Sequence, residues 1–404
     1  MYAFTDACMY VYSEEIGAAS TPNGHRSKIA CQKPMSACSI ACMVDSFRFA
    51  PDFAPVAPLS LLSADGSLAV DQPPLSDQGV IEALRFMVLT RVFDEKATSL
   101  QRQGRFGTFS SVRGQEASVV GAASALDPSR DWIAPQYREL PALVRHGLPM
   151  ENFALYFMGH PAGGVIPAGV NVLPIQISLA AQLPQATGLA WGLRKQGGDG
   201  VVLTFFGDGA SSEGDFHESL NLAGITKAPV IFFLQNNGWA ISTPRSAQTA
   251  ARTFAERAPG YGIEGVLVDG NDLLAVHQVT AEAVAKARAG GGPTLIESLT
   301  WRAGAHNTAD DPTRYVDEGE AEPWLERDPV IRVERYLRGR GAWDDDAASA
   351  MHAECAAEVD RALKDALTTP RADSSALFEH VYANPPARLE AQRQAWATIE
   401  EQQA

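Results

Sequence analysis

Two kinds of apolar pattern alternate along this chain. Residues 201–206, 230–234, 265–268 and 294–296 are short runs rich in Val, Ile, Leu and Phe, the signature of strands buried on both faces. Elsewhere apolar residues return every three or four positions. Ile81, Leu84, Val88 and Val92 do so with charges between them, which predicts a first helix beginning near Ser76. Buried strands separated by helical segments predict a doubly wound α/β fold, a parallel sheet flanked by helices. In such a sheet ligands sit beyond the carboxyl ends of the strands, so the loops directly after the runs are where chemistry is expected.

The same patterning divides the chain into a largely irregular or disordered extension over 1–75, proline-rich towards its end, an α/β domain over 76–335 and a helical region over 336–404. The segments 344–361 and 389–401 are Ala-, Glu- and Arg-rich and read as helices for packing or an interface. No internal repeat is found. A net charge of -15 offers no basic face for a nucleic acid. No apolar run approaches the roughly 20 residues needed to cross a bilayer. Four of the five cysteines fall before Met43; Cys38 and Cys42 form half of a zinc pattern, but no second pair follows at ligand spacing. The first segment lacks the features of a secretory signal, which with reduced cysteines favours the cytosol. Translation starting at Met43 would remove it.

The run ending at Phe206 leads directly into Gly207-Asp208-Gly209-Ala210, and a helical segment follows from Glu213. Strand, glycine turn and helix make a phosphate cradle, because glycines let backbone N–H groups approach an anion and the helix dipole adds to the attraction. Asp208 would repel a bare phosphate unless a cation lay between them, and magnesium, with its octahedral oxygen shell, suits that place. The next run ends in Gln235-Asn236-Asn237-Gly238-Trp239. Two neighbouring strand ends then share one ion.

These two segments resemble the alpha subunits of thiamine-diphosphate-dependent 2-oxoacid dehydrogenases that act on pyruvate or branched-chain 2-oxoacids, a likeness running from about residue 84 to 387. The resemblance implies that Asp208 and Asn237 give side-chain ligands to Mg2+ and Trp239 its main-chain carbonyl, with the diphosphate on Gly207, Gly209 and Ala210. It also assigns Tyr137 and Arg138, in Pro135-Gln136-Tyr137-Arg138-Glu139, to cofactor binding, and an arginine fork suits a diphosphate. Leu179 becomes an apolar support beneath the cofactor.

The loop from Trp301 to Arg314 carries Gly304 and Pro312 and lacks apolar periodicity. By resemblance its His306 faces the cofactor and serves acyl transfer to lipoamide, while Arg302 binds the diphosphate. Asn307 stands where animal relatives carry a regulatory serine, so no kinase switch is expected there, although Thr308 is close by. Asp215 and Glu218 share one helix face, and by resemblance line a proton path between two active sites. The matched segments account only for the diphosphate-binding half of such an enzyme. A beta subunit supplying an activating glutamate in an α2β2 assembly is implied, with a lipoyl-bearing dihydrolipoyl acyltransferase beyond it. Pyruvate is the favoured 2-oxoacid; 3-methyl-2-oxobutanoate, acetoin dehydrogenase and transketolase-like activities are alternatives. A dinucleotide-binding dehydrogenase fits less well, since after Gly207 and Gly209 the next glycine is Gly214 and no acidic residue closes the second strand. A non-catalytic scaffold would not need Asp208, Asn237, Arg138 and His306 together.

Overall fold

The Ser76 hydroxyl accepts the Gly79 N–H at 3.2 Å and caps α1 (Asp77–Arg102), whose Val80, Leu84, Met87 and Val92 are buried. The computed structural model describes residues 56–379 and 381–403. Short 3-10 turns aside, the elements that follow are α2 (Glu116–Ser124), β1 (Trp132–Ala134), α3 (Leu140–Arg145), α4 (Met150–Phe157), α5 (Gln182–Lys195), β2 (Val202–Gly207), α6 (Gly214–Thr226) and β3 (Val230–Asn236). Then come the small hairpin β4 (Trp239–Ala240) and β5 (Thr243–Pro244), β6 (Glu264–Asp269), α7 (Leu273–Arg288), β7 (Thr294–Leu299), α8 (Glu318–Leu325), α9 (Pro329–Gly339), α10 (Asp345–Thr368) and α11 (Ala387–Gln403).

Five strands form one sheet in the order β1-β2-β3-β7-β6, every neighbouring pair parallel. Leu203, Phe205, Ile231, Phe233 and Ile296 face a core shared with α1, α2, α4 and α7, while Val202, Phe206, Val230, Phe232 and Leu295 face a second core with α5 and α6. Alternate residues therefore serve opposite faces, both apolar, which is why β2 and β3 read as near-continuous apolar runs. The predicted α/β class and all four strands are observed; β3, β6 and β7 are a little longer than their runs and β2 is shifted by one residue. The fifth, β1, is three residues between Asp131 and Pro135, too short to leave a periodic signal.

Residues 56–75 are largely irregular in backbone, yet tied to the sheet. Leu59 pairs with Val268 on the outer edge of β6. Asp272 Oδ2 accepts the N–H groups of Leu61 at 2.6 Å and Leu62 at 2.7 Å, and its other oxygen caps α7. Arg332 bridges Asp269 at 2.9 Å and also donates to the Leu62 carbonyl. At the other end of the chain, α10 lies along α1, and its Cys355, Val359 and Leu363 belong to the larger core. The boundary drawn at 335/336 falls inside α9. The Cys38–Cys42 spacing and Met43 lie outside the described residues, and among those described no helix is long and apolar enough to cross a membrane.

Candidate active site

At the carboxyl ends of β2 and β3 the structure opens a cavity of about 640 Å³. Tyr137, Arg138, Leu179, Gly207, Asp208, Gly209, Ala210, Asn237, Trp239 and His306 all line it. The glycine turn takes the form of a 3-10 turn, Asp208–Ser212, and α6 follows it with Glu213 as its N-cap, in the order the sequence suggests. Gly209 is required there by space, because a Cβ on it would lie 2.8 Å from the Cβ of Ala240 on β4.

Asp208 is only 2% exposed, and burial raises its pKa. Among the described residues no ion pair reaches it; its side-chain partner is the Gln248 amide at 2.5 Å. A buried carboxylate so placed calls for a cation. At the end of β3 the two asparagines part company. Asn236 turns to Glu297 on β7 at 2.7 Å, whereas Asn237 lines the cavity, donates to Gln115 Oε1 at 3.2 Å and accepts the Trp239 N–H at a long 3.3 Å. Carboxylate, amide oxygen and a nearby main-chain carbonyl are the hard oxygen donors magnesium prefers.

Polar groups without partners point to a ligand as well. Gln115 Nε2, Gln235 Oε1 and Gln248 Oε1 are buried and unsatisfied, and all three residues line the cavity. Buried polar atoms are normally paired, so this concentration marks a place for a polar guest. Beneath it, Glu139 is fully buried and accepts from Gln235 Nε2 at 2.7 Å and from the N–H groups of Gln136 at 2.9 Å and Arg138 at 3.0 Å. Burial pushes its pKa up to about 7 against those hydrogen bonds. Gln136 in turn accepts the Gly207 N–H at 3.0 Å, so that donor is engaged by the protein itself.

His306 lies on the loop after β7. Its N–H donates to Asp310 at 2.7 Å, its carbonyl accepts from Arg138 at 2.7 Å, and both Arg138 and Arg302 bring guanidinium nitrogens to 3.3 Å from Nδ1. Burial first, then the charges of Arg138 and Arg302, push the imidazole down to about 4. His306 is therefore neutral near pH 7. Two cationic donors at Nδ1 make that nitrogen the acceptor and leave the proton on Nε2.

Three candidates lie elsewhere. Arg302 is buried behind the cavity wall, donating to the Ile241 carbonyl at 2.9 Å and the Tyr315 hydroxyl at 2.7 Å, with its Nε buried and unpartnered. Asp215 is half-buried and Glu218 exposed on α6, outside the cavity. Asn307 lines the cavity; the Thr308 hydroxyl accepts the Phe109 N–H at 3.1 Å, and its own N–H donates to the Phe109 carbonyl at 2.9 Å. Sequence reasoning missed Gln115, Gln136, Glu139, Gln235 and Gln248. Three of these sit inside the quoted motifs, where a polar side chain within a buried stretch was the available signal; Gln248 offered none.

A buried carboxylate and an amide on neighbouring parallel strand ends share one cavity with a neutral histidine, and the chain belongs to the family of dehydrogenase E1 components, whose model matches residues 84–375. It is 43% identical over 334 residues to the pyruvate dehydrogenase E1 component subunit alpha of Staphylococcus epidermidis and to that of Staphylococcus aureus, with 82% of this chain and 90% of each relative covered. The family implies thiamine diphosphate. The alpha subunit of a thiamine-diphosphate-dependent 2-oxoacid dehydrogenase, expected from the sequence, therefore stands, and the dinucleotide-binding alternative falls away.

Proposed function

We propose that the chain acts with a beta subunit in the oxidative decarboxylation of pyruvate, passing the acetyl group to lipoamide on an acyltransferase. The observation that carries the reading is Asp208, a buried carboxylate without an ion-pair partner among the described residues, in the same cavity wall as Asn237 and Trp239. These three would hold Mg2+ through side-chain oxygens and the Trp239 carbonyl. The N–H groups of Gly209 and Ala210 would meet the diphosphate, with Gly207 joining them if Gln136 lets go. Arg138 and the free Nε of Arg302 add positive charge for it. Thiamine diphosphate, when bound, supplies a nucleophilic carbon and an electron sink for decarboxylation.

The protein's own residues bind, orient and handle protons. Leu179 and Tyr137 give apolar surface to the wall, excluding water from one side of the guest. His306, neutral with its proton on Nε2, can hydrogen-bond through that N–H to the lipoyl sulfur as charge develops on it during acyl transfer. The assembly is α2β2, with the activating glutamate on the beta chain. Asp215 and Glu218 are assigned to proton transfer between the two sites. Pyruvate is preferred over a branched 2-oxoacid because the relatives bear the pyruvate dehydrogenase name.

Co-expression with a beta subunit, followed by decarboxylation assays on pyruvate and on 3-methyl-2-oxobutanoate with and without thiamine diphosphate and Mg2+, tests this. The expected result is cofactor-dependent turnover with the higher kcat/KM on pyruvate. A higher value on the branched acid would reassign the substrate; an assembled complex that binds no thiamine diphosphate would return the chain to the scaffold reading.

A further inference from the structure

Among the cavity amides left without full partners, Gln248 is the one that touches Asp208. It follows the β4–β5 hairpin through the 3-10 turn Arg245–Ala247. That turn is braced. The Arg245 N–H donates to the Gly238 carbonyl at 2.9 Å, and its guanidinium, 5.5 Å from the Phe254 ring centre, donates to the carbonyls of Ala251 and Arg252. The brace sets Gln248 in the cavity wall, where Nε2 donates to Asp208 Oδ2 at 2.5 Å and to the Thr243 carbonyl at 3.2 Å. Both partners are acceptors, so the nitrogen must face them and the amide cannot be turned over. The oxygen, Oε1, is consequently left buried with no donor.

We propose that Gln248 belongs to the magnesium site: its nitrogen fixes Asp208 in its ion-binding orientation, and its free oxygen accepts from a water in the ion's hydration shell. Magnesium seldom sheds all its water, and a water on the ion is a stronger donor than one in solvent, so it needs an acceptor nearby. Asp208, Asn237 and the Trp239 carbonyl leave room in an octahedron for phosphate oxygens and such a water. Gln248 Oε1 meets the need without adding charge. The inference rests on the assignment of Mg2+ to Asp208.

The test uses the assembled α/β complex stripped of metal with a chelator. Mg2+ is titrated calorimetrically at saturating thiamine diphosphate in the unaltered protein and in Gln248→Met, which nearly preserves volume but can neither donate nor accept as the amide does, and in Gln248→Ala. Outer-shell partners typically change metal affinity by roughly 10–100-fold, and a Kd for Mg2+ raised by that factor in both variants, with the melting temperature of the metal-free complex unchanged, is expected. A Kd within about twofold of the unaltered protein's would overturn the role of Gln248, whether or not metal-free stability falls. If the unaltered complex takes up no Mg2+, the assignment at Asp208 itself is wrong.

Discussion

Asp94 lies on α1, fully buried, one side chain removed from the site. Its Oδ2 accepts the Val112 N–H at 2.8 Å and the Ser111 hydroxyl at 2.5 Å, and the Ser111 carbonyl accepts from Arg138 at 2.5 Å. Burial, helped by the nearby Glu116 charge and opposed by those hydrogen bonds and by Arg138, lifts its pKa from 3.8 to about 7. Between those values the folded chain holds a proton that the unfolded chain has released. Stability from this group is complete below about pH 4 and is lost as pH rises towards 7. A shift of about three units corresponds to about 4 kcal/mol as an upper estimate.

Asp94→Asn keeps an oxygen for Ser111 and Val112 and removes the charge, at the expense of a buried amide N–H worth about 1–3 kcal/mol if unpaired. The variant should therefore be more stable than the unaltered protein by about 1–3 kcal/mol at pH 8, with the advantage shrinking as pH falls towards 5. Asp94→Ala, which strands two donors, should be less stable throughout. Thermal unfolding of the α/β complex from pH 5 to 8 measures this. Some pH dependence should survive in Asp94→Asn, because Glu139 is lifted to about 7 in the same direction. A stability difference that is flat with pH, or that grows towards acid, would show that Asp94 is ionised in the folded chain and the reasoning wrong.

Three further outcomes follow from the site. His306→Ala should leave decarboxylation measured with an artificial electron acceptor within about tenfold, while acetyl transfer to lipoamide falls by roughly 10²–10³-fold, the usual weight of a lost hydrogen-bond donor to developing charge; equal losses in both assays would remove the transfer role. Gly209→Ala forces β4 to yield and should weaken thiamine diphosphate binding by roughly 5–150-fold, taking overpacking at about 1–3 kcal/mol; unchanged affinity by fluorescence titration would mean the turn shifts freely. Asp215→Asn should slow turnover without loosening Mg2+, since the residue lies outside the cavity, and normal turnover speaks against a proton path on α6.

The strands at the centre of the sheet were legible because both faces are apolar, leaving runs such as 201–206, in which Thr204 is the one polar residue. The glycine turn and the Asn236-Asn237 pair were legible for a related reason: polar residues placed directly after a buried strand must lie at its end. The amides that complete the cavity were not. Gln115, Gln235 and Gln248 are drawn together from α2, β3 and a loop by tertiary packing, and a glutamine has no sequence context that separates a buried, unpartnered amide from a solvated one. Arg302 shows the converse. A basic residue in a family motif was legible, but not that Tyr315 and the Ile241 carbonyl would hold its guanidinium behind the wall and leave only Nε free.

The short pairing of Leu59 with β6 matters to anyone who trims this chain. Asp272 and Arg332 are buried charges that share residues 60–62 as hydrogen-bond partners, three contacts for Asp272 and two for Arg332. Starting at Met43 would leave that stretch in place. Starting after residue 62 would leave Asp272 only its cap on α7 and Arg332 its pair with Asp269, and would uncover the last strand of the sheet, a surface that adds strands from neighbouring molecules. Shortened chains of the second kind should precipitate or form edge-to-edge aggregates although every residue of the cavity is still present.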